Sequence, residues 1–68
     1  MKIIKQHLIE NSYPYLAEGK AWKFFKKSDY YKNCIDDLKE LGRGDELKEN
    51  IRSYAHSFSE ATRYLNLF

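Results

Sequence analysis

The stretch Glu46–Asn66, ELKENIRSYAHSFSEATRYLN, decides the fold. Within it Leu47, Ile51, Tyr54, Phe58, Ala61 and Leu65 recur at steps of four, three, four, three and four. That spacing keeps side chains along one side of an α-helix. At 1.5 Å per residue a helix over about 46–66 is roughly 31 Å long. Such a helix is not stable alone in water, so its apolar seam must be covered. The expected cover is the rest of this chain; the alternative is a homodimer in which Tyr54 and Phe58 anchor the interface. The seam is shorter than three heptads and carries no e/g charge pattern, which argues against a coiled coil.

Three shorter segments precede it. Residues 29–41 have the clearest amphipathic pattern: Tyr30, Tyr31, Cys34, Ile35, Leu38 and Leu41 share an arc of roughly 140°, while Lys32, Asp36, Asp37, Lys39 and Glu40 take the rest. Ser28 is the expected N-cap and Gly42 the residue that ends the helix. Asp45 is the expected cap of the long helix, with Glu46 in its first turn. Residues 2–10 place Ile3, Ile4, His7 and Leu8 on one face and Ile9 off it. Asn11-Ser12 offers a stop, and Pro14 suits the first turn of a second helix over about 14–27. Gly19 lies inside that helix at a cost of about 1 kcal/mol relative to Ala, so a break there is in keeping with the sequence. No segment alternates with period two over a strand's length. The expectation is an all-α chain: a compact three- or four-helix bundle, one domain over 1–68, with a long C-terminal helix.

Sixty-eight residues leave little interior. A core of this size supplies roughly 3–5 kcal/mol, and eleven aromatic residues help by burying large area each. Cys34 is the single cysteine, which excludes an intrachain disulfide. With no secretory pattern in MKIIKQHLIEN and no apolar run of membrane-spanning length, a cytoplasmic protein off the membrane is expected. The net charge of +2 is unevenly spread. Residues 1–34 carry seven Lys against three acids, and residues 35–68 carry five Lys or Arg against seven acids. That layout concerns partners rather than fold.

The strongest functional feature is Lys20–Lys32. On a helix Lys20, Lys23, Lys26 and Lys27 share one face, with Ala21, Trp22 and Phe25 opposite and Phe24 at the edge. Ammonium groups so arranged suit an acidic protein surface. Phosphates are the alternative target, with unburied aromatics stacking on bases. The bland alternative is a solvated lysine face above a buried aromatic one. Arginine, which reads bases and phosphates bidentately, is absent from the patch. A helix-turn-helix over 29–60 would set Asp45, Glu46 and Glu49 against phosphates, which argues against it. Arg43-Gly44-Asp45 is the integrin-ligand tripeptide, read here as a turn and a cap. His7, His56 and Cys34 have no metal-ligand spacing, Asp36, Asp37 and Glu40 lie on a polar face, and no glycine-rich phosphate loop occurs. The expected function is therefore a non-enzymatic protein with no cofactor that binds a larger acidic partner as regulator or inhibitor. Its expected contacts are Lys20, Trp22, Lys23, Phe24, Lys26 and Lys27. Non-specific nucleic-acid binding and self-association are the alternatives. The terminal Leu67 and Phe68 lie off the seam and are expected to fold back over the first helix, the alternative being a partner-facing patch.

Overall fold

A computed structural model of the protein describes residues 2–65, with side chains from residue 3. Helix α1 (Lys2–Glu10) is followed by a 3-10 turn (Pro14–Ala17), then α2 (Gly19–Lys27), α3 (Asp29–Leu41) and α4 (Gly44–Leu65). Among the described residues there is no strand. The 22 residues of α4 make it about 33 Å long, the long dimension of a body measuring 33 × 21 × 17 Å. Helices α1 and α3 both pack on α4, and α2 packs on the 3-10 turn and on α3.

Each junction has a local cause. Helix α1 ends in a Schellman-type turn. The Tyr13 N–H donates to the Leu8 carbonyl at 2.7 Å across Ser12, which is left-handed at φ 72°. Asn11 covers the last turn, both its backbone and side-chain N–H reaching the His7 carbonyl at 3.0 Å. The helix expected over 14–27 is two elements. Glu18 is extended (φ −125°, ψ 147°) and Gly19 has φ 53°, so the hydrogen-bond ladder stops after one 3-10 turn and restarts. Ser28 serves two helices at once: its hydroxyl donates to the Phe25 carbonyl at 2.6 Å and accepts from the Tyr31 N–H at 3.2 Å. It closes α2 and caps α3 within one residue. Gly42 ends α3 at φ 53°. Helix α4 starts before Asp45: the Leu47 N–H already reaches the Arg43 carbonyl at 3.0 Å. Asp45 and Glu46 therefore lie in the first turn, where their charge offsets the positive helix end, and Asp45 is not the cap.

The core comprises Ile4, Leu8, Leu16, Ala17, Ala21, Phe25, Cys34, Ile51, Ala55 and Phe58. Phe25 joins three helices, its ring lying 5.5 Å from Tyr31 and 5.1 Å from Phe58, both edge-to-face. The amphipathic arc of α3 is inward as expected, with Cys34 buried and Tyr30, Tyr31, Ile35, Leu38 and Leu41 half-buried. The seam of α4 is displaced. Its buried line is Ile51, Ala55, Phe58 and Thr62, rotated roughly 50° from the apolar seam. Leu47, Tyr54 and Ala61 are half-buried on the flank, and Leu65 is 62% exposed. The cause is two-sided cover. Helix α3 covers the apolar edge, where Tyr30 packs edge-to-face on Phe58 and the Tyr54 hydroxyl donates to Asp37. Helix α1 and the 3-10 turn cover the other edge, where α4 offers the Lys48 carbonyl, Arg52 and Ser59. The inward direction lies between the two, over small Ala55 and over Thr62, whose hydroxyl donates to the Ser59 carbonyl at 2.9 Å. On α1, Ile4, His7 and Leu8 are buried, but Ile3 is 56% exposed, because α4 flanks its side without closing over it. The expectation for Leu67 and Phe68 lies outside the described residues. No helix described is long and apolar enough to cross a membrane.

Candidate functional site

Helix α2 presents the lysine face because two residues hold it down. Ala21 and Phe25, one turn apart, are buried, and that fixes the rotation of the helix. Lys20, Lys23, Lys26 and Lys27 are all exposed. The ion pair found among the described residues is Arg52–Glu49 at 3.9 Å, and among them no carboxylate pairs with a lysine of this stripe. Lys26 and Lys27 occupy the last turn of α2, where a positive charge also offsets the negative helix end.

The two aromatic flanks differ. Trp22 is half-buried, its ring 5.9 Å from Phe25 and 6.0 Å from Tyr31, with the Lys26 ammonium 5.8 Å from its centroid. The indole thus packs into the aromatic cluster and also has a cation within reach of its ring. Phe24, on the opposite flank, is 39% exposed and offers apolar surface beside Lys20 and Lys27. Tyr30 and Tyr31, adjacent in sequence to the patch, turn into the aromatic cluster. The structure thus groups the four lysines with Phe24, while Trp22 is half-buried in the aromatic cluster with Lys26 near its ring.

The remaining chemistry-bearing groups are dispersed. Cys34 is fully buried, and burial followed by the nearby Asp37 pushes its thiol up to about 12, which keeps it protonated and unreactive. His56 is exposed on α4 beside Glu60, Arg63 and Tyr64 on a shallow depression. Asp37 accepts from Tyr54, which places it in a tie between helices. Among the described residues no three His, Cys, Asp or Glu side chains converge as for a metal ion.

One polar cluster is absent from the sequence-based expectations. His7, 6% exposed, sits between α1 and α4. Its Nε2–H donates to the Lys48 carbonyl at 3.0 Å. Because a carbonyl only accepts, Nε2 carries a proton; the Asn11 Nδ2 lies 3.0 Å from Nδ1 and 3.3 Å from Nε2, near-equal distances that place the amide N–H₂ over the face of the ring. Arg52 donates to the Asn11 Oδ1 at 2.6 Å, which fixes which way that amide points. His7 and Asn11 stand four residues apart, a spacing that places them on one helix face, but nothing in sequence links them to Arg52, 41 residues on from Asn11. No protein-family model, curated protein or solved structure matches this chain.

Proposed function

We propose that the protein is a non-enzymatic binding module that docks its α2 face on an acidic surface of a larger protein and so regulates or inhibits it. The observation that carries this is the set of four exposed lysines, paired with no carboxylate among the described residues, with Phe24 at their edge, on a helix whose opposite side is anchored. The lysines supply attraction and orientation. Phe24 supplies apolar contact at the edge of the lysine stripe. The state of Trp22 favours a protein target over single-stranded nucleic acid. A stacking platform needs a free ring face, and this ring is half-buried against Phe25 and Tyr31 with the Lys26 ammonium 5.8 Å from its centroid.

The test uses the immobilised full chain, extract of its native host, and the double variants Lys23→Glu/Lys27→Glu and Lys20→Glu/Lys23→Glu. The expected result is one protein retained by the wild type and lost with both variants, each with an unchanged helical circular dichroism spectrum. Equal retention by folded variants removes the proposal. A gel shift with single- and double-stranded nucleic acid at two salt concentrations separates the alternative. Binding that weakens with a slope of roughly −0.7 to −0.9 per neutralised phosphate, and that vanishes with the same variants, would establish nucleic acid as the target instead.

A further inference from the structure

We propose that His7 is an acid-sensitive clip: protonation of its imidazole frees α1 from α4 and bares Ile4, Leu8 and the strip of α4 that they cover. The clip is built for the neutral ring. Nε2–H is spent on the Lys48 carbonyl, and the donor end of the Asn11 amide lies over the ring face, 3.0 Å from Nδ1 and 3.3 Å from Nε2. A second proton, on Nδ1, turns the whole ring into a cation directly beneath the positive N–H₂ end of that amide. The amide cannot simply turn its oxygen inward. Its Oδ1 receives the Arg52 guanidinium, and its Nδ2 also donates to the His7 carbonyl that ends α1.

The charged surroundings disfavour the imidazolium as well. From α4 the side faces Lys48 and Arg52, both cationic; from α1 itself comes Glu10, the one acid that favours it. Burial is the largest influence and lowers the affinity for a proton. The bond to the Lys48 carbonyl and Glu10 oppose it, Arg52 and Lys48 reinforce it, and the outcome lies below the ordinary value of 6.5. With the folded value depressed, the stability that His7 contributes is complete above about 6.5 and is lost as pH falls through the folded value. The loss falls first on α1, because His7 and Asn11 are the polar ties from this end of the helix to α4. What α1 uncovers is apolar, since Ile4 and Leu8 are both fully buried in the closed form.

The chain holds two histidines, so ring resonances are separable by nuclear magnetic resonance with a His56→Gln variant for assignment. The expected result is a His7 ring that titrates below 6.5. Amide-exchange protection over residues 4–10, corrected for intrinsic rates, should fall by up to about tenfold per pH unit below 6.5, while α3 amides keep theirs. The neutral variant His7→Gln should show no such pH dependence in α1, and His56→Gln should retain it. A His7 ring that titrates at or above 6.5, α1 protection that is flat with pH, or joint loss of protection in α1 and α3 each overturns the proposal. Should His7→Gln not fold, the wild-type titration and exchange decide alone.

Discussion

Ser12 offers a test of where α1 ends. It is exposed, its side chain has no hydrogen bond among the described residues, and it stands at φ 72°. An L-residue in this region costs roughly 1–2 kcal/mol. Glycine removes that cost but orders a freer backbone, which returns roughly 0.5–1 kcal/mol. Ser12→Gly is therefore expected to stabilise the protein by about 0.5–1 kcal/mol, a rise in midpoint of roughly 2–8 °C for a domain of this size. Gly42→Ala is the mirror experiment. Gly42 has φ 53° and a Cβ there would meet nothing within 4 Å, so its expected loss of about 1 kcal/mol is a backbone effect alone. Urea unfolding followed by far-ultraviolet circular dichroism measures both, with the slope m checked for constancy. If Gly42→Ala loses stability as expected and Ser12→Gly does not gain it at constant m, residue 12 is not left-handed and the Schellman-type turn is wrong.

Gly19 reverses a sequence-based expectation. In an unbroken helix Gly19→Ala would gain about 1 kcal/mol, but at φ 53° it is expected to lose about that much, and the sign of a thermal shift distinguishes the two. Tyr54 is held by Asp37, whose hydrogen bond first, and burial second, push the phenol up to about 12. Because the folded value is raised above 10, this contribution is intact below pH 10 and is lost as pH rises through about 12. Ultraviolet titration of the six tyrosines should show one lagging ring, absent from Tyr54→Phe, and that variant should lose about 1 kcal/mol at neutral pH. Full ionisation of all six rings together near pH 10 would count against the bond. Phe25→Ala should cost roughly 3–5 kcal/mol, about the whole margin of a core this small; a cooperative melt in that variant would show that α2 is not held by this ring.

The helical pattern was legible because it rests on local signals. Ser28, Gly42 and the arc Tyr30–Leu41 act within a few residues of themselves, so spacing and capping chemistry suffice to place them. The long helix was legible as a helix, but its inward direction was not. Hydrophobicity marks the edge under α3, whereas α1 packs against backbone and polar groups of α4 that no apolar pattern reveals. The break at Gly19 depends on a backbone angle that glycine permits without requiring it. The lysine face was legible from spacing alone, because four like charges on a short helix leave one side free for Ala21 and Phe25. The edge position of Phe24 was legible too, but the packing of the Trp22 ring into the aromatic cluster was not, since it depends on how α2 sits against α3.

The two sides of α2 also separate a docking role from a structural one. Substituting an exposed lysine leaves Phe25 and Ala21 in place, so the stability change comes mainly from helix position. Lys20 is the second residue of α2 and Lys27 the last. A glutamate at position 20 meets the positive helix end and is neutral or stabilising, whereas one at position 27 meets the negative end and costs roughly 0.3–1 kcal/mol. If the lysines served only to complete the helix, Lys27→Glu would weaken the fold and Lys20→Glu would change nothing downstream. If the stripe is a docking face, the two reversals reduce capture alike although their stabilities move in opposite directions. Capture that follows the melting temperature would therefore assign the lysines to helix stability, and capture that follows charge would assign them to a partner.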